Sequence, residues 1–120
     1  MKRFRQDRQM AIRNTGDIFV GEVFTQNLVT EDDAPSQRVT AVTFEDGARN
    51  RWHYHSTEQV LVVTDGEGIV ANEDEVLRVT AGDVVLISAG ERHWHGAAEG
   101  ASMTHLSILL PGTMTIDDEA

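Results

Sequence analysis

The sequence predicts an all-β protein folded as one domain. From residue 17 onward, short apolar runs rich in β-branched residues are cut by turn signals every 8–12 residues, the spacing of a sandwich or barrel. Outside residues 4–12 no window carries the period of a helix of ordinary length. The 120 residues suit a single domain with one sizeable core, and no linker rich in Gly, Ser or Pro divides them.

The elements follow in order. Residues 1–16 read as an N-terminal arm, with a helical turn as an option over 4–12. Residues 17–24 alternate, with Ile18, Val20 and Phe24 on one parity, and 37–45 are rich in β-branched residues. The polar stretch 30–37 between them reads as a loop, and Glu45-Asp46-Gly47 as a turn. Residues 51–55 alternate large side chains, and 59–65 form a buried-type strand that Asp65-Gly66 is expected to close as a hairpin. Strands at 68–72 and 76–80 flank an acidic turn, 84–88 is another buried strand, and 93–96 and 102–110 complete about nine. A barrel over 17–112 and an acidic tail over 113–120, frayed at Asp117, Asp118 and Glu119, are the expected units.

Composition narrows the chemistry. Without cysteine there is no disulfide, thiolate metal site or cysteine nucleophile, so any metal is held by nitrogen and oxygen. The net charge of -10 argues against a nucleic-acid-binding surface. Residues 1–13 run against this trend, with five basic side chains and one acidic, leaving -14 on the remainder. No apolar stretch follows this basic start and no apolar run reaches a membrane-spanning length, so a cytoplasmic protein without a membrane span is expected.

The five histidines, His53, His55, His93, His95 and His105, all fall in the strand-rich region. Alternate strand residues share a face, so His53 and His55 point the same way, about 6–7 Å apart along the strand, and His93 and His95 repeat the arrangement. His105 shares parity with Met103 and Ser107. A single buried histidine is commonly a hydrogen-bonded core residue. Two such pairs and a fifth histidine facing one interior instead suit a first-row metal ion.

With these positions in place, the sequence resembles the cupin family. Gly47, His53, His55, Gln59 and Gly66 match its first motif, and Gly82, Ser88, Gly90 and His93 its second. The resemblance implies a double-sheet jelly-roll barrel, usually a homodimer, with one divalent transition metal per chain held by His53, His55, Gln59 and His93. Gln59 stands where the family usually has glutamate, Ser88 where it has proline and Ala97 where it has asparagine. Glu58 neighbours Gln59 but has the opposite parity. A closer likeness is to the manganese-dependent hydroxynitrile lyase cupins, carried by His53, His55, Gln59 and the run from Gly90 through Ile108. It implies manganese, with iron, nickel, zinc or copper as alternatives, and places His95 and His105 in the pocket.

Three neutral imidazoles and a neutral amide leave the charge of a divalent ion undiminished. That favours Lewis-acid chemistry over oxidation of the metal. His95 or His105 is then the candidate general base in a lyase acting on a small molecule. A metal-dependent dioxygenase and a non-catalytic binding cupin are the alternatives. Trp52, Tyr54 and Trp94 have the opposite parity and are expected to pack between sheets or at a dimer contact. Leu61, Val63 and Met103 are expected in an apolar pocket or in the core, Arg51 toward the barrel mouth or, as for most such arginines, in solvent, and Glu91 and Arg92 in solvent. The N-terminal segment is the candidate for crossing to a second subunit.

Overall fold

The computed structural model describes residues 1–118. One 3-10 turn, Arg8–Met10, precedes twelve strands: β1 (Ile12–Arg13), β2 (Phe19–Val20), β3 (Val23–Val29), β4 (Arg38–Phe44), β5 (Arg49–Asn50), β6 (His53–His55), β7 (Gln59–Asn72), β8 (Val76–Thr80), β9 (Val84–Ile87), β10 (His93–Ala97), β11 (Met103–Leu109) and β12 (Met114–Ile116). Every pairing is antiparallel. One sheet, A, runs β1-β3-β4-β11-β7-β9; the other, B, runs β2-β5-β10-β7-β8, with β6 joining β10 and β12 joining β6. The two curl into one barrel because β7 belongs to both.

The sharing of β7 corrects one expectation. Asp65-Gly66 does not reverse the chain; it bends a single 14-residue strand. Gln59 to Gly66 pair with β11, and Gly68 to Ala71 pair with both β10 and β8. The register slips at the bend, where Thr104 and His105 pair with Asp65 and Val63 and leave Thr64 over. Gly66 has a φ of 78°, and a Cβ there would collide with the Ser102 carbonyl. The glycine signal thus marks a bulge that passes the strand between sheets.

The core lies between the sheets at the end away from β12. Phe44, Leu61 and Val23 are fully buried there, with Val63 and Met103 nearly so. Leu61, Val63 and Met103 therefore belong to the packed floor. Phe19 closes edge-on against Phe44 at 6.2 Å.

One further expectation shifts. Arg92 stands 4.2 Å over the Trp52 ring and Arg49 5.2 Å over Trp94, so these indoles are covered from the outside of sheet B and do not pack between sheets. Residues 5–8 lie against the outer face of sheet A, and β1 extends the edge of that sheet. Gln6 Nε2 donates to Thr64 Oγ1, Gln26 Nε2 donates to the Arg5 carbonyl, and Arg8 pairs with Glu45 at 2.8 Å.

The C-terminal strand β12 went unseen in the sequence. Met114, Thr115 and Ile116 pair with His55, Tyr54 and His53. Arg51 Nε donates to Asp118 at 2.8 Å and Arg92 Nε to the Asp117 carbonyl at 2.9 Å. Arg51 is therefore turned away from the barrel mouth and Arg92 is mostly covered, while Asp117 and Asp118 are tied down; Glu119 lies outside the described residues. No described helix is long and apolar enough to cross a membrane.

Candidate metal centre

The site is assembled where β6 and β10 run side by side, His93 directly opposite His53 in the register. Strand alternation turns His53 and His55 inward from one strand, His93 and His95 from the other. Ring nitrogens of His53, His55 and His93 all lie within 4.8 Å of one another. Ring centroids are 4.3 Å apart for His53 and His93, and 5.0 Å for His53 and His55.

Backbone carbonyls set the tautomers. His53 Nδ1 donates to the Arg51 carbonyl at 2.7 Å, and His93 Nδ1 donates to the Glu91 carbonyl at 2.8 Å. Each ring therefore offers an Nε2 lone pair to the interior, the usual way a metal-binding imidazole is oriented. Burial, reinforced by the neighbouring His93, pushes His53 down to about 3 and His55 down to about 4. Burial also lowers His93. All three are neutral, and thus able to ligate, at neutral pH.

Gln59 lies in the same cavity, its side chain buried. Its Nε2 donates to Ser107 Oγ at 2.9 Å, which leaves Oε1 as the free end of the amide. Gln59 Oε1, His55 Nε2 and His93 Nε2 are buried without a hydrogen-bond partner. Buried acceptors left without donors are costly and uncommon. A divalent cation satisfies such atoms, and nitrogen with neutral oxygen suits a first-row metal. Glu58 is exposed and away from this group.

The turn before His93 is braced. Glu91 accepts from Asn72 Nδ2 at 2.8 Å and from the Ser88 amide at 2.9 Å, and these bonds, the first foremost, hold its carboxyl below the usual carboxylate range. Glu91, expected in solvent, thus fixes the carbonyl that orients His93.

His95 and His105 form a second group. His105 is fully buried, and its Nε2 lies 3.0 Å from His95 Nδ1. Burial holds His105 near about 4; burial and then the His105 neighbour hold His95 well below its ordinary value. The sequence reading missed Asn50, also buried, whose Oδ1 accepts the His95 backbone amide at 2.8 Å and whose Nδ2 lies 3.2 Å from His95 Nε2. It reaches His95 because Gly96 lets β5 come close: a Cβ on Gly96 would lie 2.5 Å from both the Ala48 carbonyl and Arg49 Cβ.

Asn50, His53, His55, Gln59, His95 and His105 line one cavity of about 290 Å³, and Ile18, Phe19, Val42, Leu109 and Met114 supply apolar walls. His93, the third member of the metal group, is not among the residues that line this cavity. The order of elements and the two histidine strands have a counterpart: residues 40–109 match the Cupin domain family. The chain is a cupin. It is 42% identical over 105 residues to (R)-mandelonitrile lyase of Granulicella tundricola, covering 87% of this cupin and 80% of that enzyme. A cupin-like protein of Thermotoga maritima superposes with a TM-score of 0.82 at 34% identity, over 88% of this chain and 83% of that one. The polyketide cyclase RemF of Streptomyces resistomycificus shares the fold, with a TM-score of 0.84 at 16% identity over 100% of this chain and 88% of its own. Across such distances the barrel persists while the chemistry is set by the residues within it.

Proposed function

We propose that this cupin is a manganese-dependent hydroxynitrile lyase, cleaving a cyanohydrin to an aldehyde and hydrogen cyanide and catalysing the reverse addition. The observation that carries this reading is the His95–His105 pair, neutral and buried, lining the same cavity as His53, His55 and Gln59. The likeness to a mandelonitrile lyase over most of both chains supports it.

Cleavage needs a base for the hydroxyl proton, a clamp on the oxygen and a donor for the departing anion. A nitrogen of the His95–His105 pair accepts the hydroxyl proton. The O–H electrons form the C=O bond, the C–CN pair leaves with cyanide, and the proton passes to cyanide. His53, His55, His93 and Gln59 hold the metal, which, when bound, supplies Lewis acidity at the substrate oxygen with no carboxylate ligand to diminish it. The low proton affinity of both histidines keeps them as acceptors at neutral pH. The apolar walls exclude water.

Release of benzaldehyde from mandelonitrile, measured on manganese-loaded protein under argon, tests the reading. Turnover equal to that in air, lost in His95→Phe with metal content retained, is expected. Strict dependence on oxygen, or no turnover with metal bound, contradicts it.

A further inference from the structure

The register of sheet A sorts the inner wall into rows. Val23, Phe44 and Met103 lie side by side on β3, β4 and β11 and form the buried apolar floor. Two residues along each strand come Thr25, Val42 and His105, and two further come Asn27, Thr40 and Ser107. The third row is polar on all three strands and lines the cavity beside Gln59. A pocket shaped only for hydrocarbon calls for Val, Ile or Leu at such inward strand positions.

Asn27 is exposed at the cavity rim while Thr40 and Ser107 are half-buried, and the row is only partly satisfied from within. Thr40 Oγ1 donates to Asn27 Oδ1 at a long 3.4 Å, and Ser107 Oγ accepts from Gln59 Nε2 at 2.9 Å. These bonds leave the Asn27 amide protons and the Ser107 hydroxyl proton available to an acceptor, and the Thr40 oxygen available to a donor. Among the described residues lining the cavity there is no lysine, arginine, aspartate or glutamate. A charged group would find no counter-ion on this wall, whereas a hydroxyl or carbonyl finds both donors and acceptors. The space of about 290 Å³ suits one substituted ring or a chain of similar size.

We propose that Asn27, Thr40 and Ser107 form a recognition wall for a second polar group: the preferred substrate is a neutral molecule bearing a hydroxyl or carbonyl besides the oxygen that reacts. This deepens the lyase reading, on which its reacting end rests, by naming hydroxyl-bearing aldehydes and their cyanohydrins as the substrate class.

The test is calorimetric titration of manganese-loaded protein with benzaldehyde, 3-hydroxybenzaldehyde and 4-hydroxybenzaldehyde, in wild type, Thr40→Val and Asn27→Leu. Thr40→Val keeps the side-chain shape and removes the hydroxyl, and an unchanged thermal melt establishes that it folds. The better of the two hydroxy probes is expected to bind about fivefold more tightly than benzaldehyde, the worth of one neutral hydrogen bond. That preference is expected to fall toward parity in Thr40→Val. Equal affinities in wild type, no binding of any probe, or a preference that survives both substitutions overturns the wall. A hydroxy preference in protein that releases no aldehyde from either mandelonitrile or its hydroxy derivatives upholds the wall and removes the lyase reading.

Discussion

Asn50 grips His95 at two points, its Oδ1 taking the backbone amide at 2.8 Å and its Nδ2 approaching the ring Nε2 at 3.2 Å. The first bond fixes which end of the Asn50 amide is oxygen, so the second presents a donor to the ring. Nδ2 lies almost as close to the other ring nitrogen, 3.3 Å from Nδ1, so Asn50 holds the His95 ring in place beside His105 without selecting its tautomer.

Asn50→Ala is expected to lower kcat for cyanohydrin cleavage by about 10–100-fold, the usual cost of losing such a partner. Bound metal should stay near one per chain, since the hydrogen bonds of Asn50 go to His95 and not to the three grouped histidines. Loss of two buried hydrogen bonds should also cost about 1–3 kcal/mol of stability. Steady-state kinetics with metal analysis on the same preparation checks this; an unchanged kcat contradicts it.

Gln59→Glu places a carboxylate among the metal-holding groups. Metal binding should tighten, while the Lewis acidity available to the substrate oxygen should fall, because one unit of positive charge is offset. We expect cleavage to slow by about tenfold, a change of ~1.4 kcal/mol in the barrier. Activity equal to wild type would show that the neutral donor set is not what tunes this site.

The brace behind His93 makes a separate prediction. Asn72→Ala removes the amide that holds Glu91, freeing the turn whose carbonyl orients the His93 ring. Metal affinity should drop about 10–100-fold, while the His95–His105 pair stays intact. Competition with a chelator of known affinity measures the change, and an affinity equal to wild type contradicts the brace.

Acid should destabilise the metal-free protein early. His53 is held at about 3, and His55 and His105 at about 4, chiefly by burial, against an unfolded value of 6.5. The folded values lie below the unfolded ones, so below pH 6.5 the unfolded chain takes up protons that the fold refuses. Stability is therefore level above about pH 6.5 and falls as pH drops toward about 4, by up to ~1.4 kcal/mol per pH unit for each histidine involved. Asp33 and Glu91, also held below their ordinary values, add losses only in the acid range of carboxylates. Urea midpoints at pH 7.5, 6 and 5 check the sign, and His105→Leu should show a shallower slope. A midpoint that rises on acidification contradicts it.

The residues that could be read ahead were those whose meaning is local. Strand alternation alone turns His53 with His55, and His93 with His95, to one face, and the spacing of Gly47, Gln59, Gly66 and Gly82 around them carried the family resemblance. Asn50 was illegible because its partner is 45 residues away and its reach depends on Gly96 admitting β5. Strand β12 has only three residues, none fully buried, so it carries no periodic signal; pairing with β6 makes it a strand. Asp65-Gly66 was read as a hairpin because a bulge and a tight turn both demand a glycine at positive φ. Only the long-range pairing of β7 with both sheets separates them.

The whole reading turns on whether the three inward histidines hold a metal. Elemental analysis of protein purified without chelator or nickel resin, beside His53→Ala, tests it most directly. About one transition metal per chain is expected, manganese foremost, and its loss in the variant with the fold retained. Folded wild-type protein that carries no metal and takes up neither manganese, iron nor zinc would contradict it.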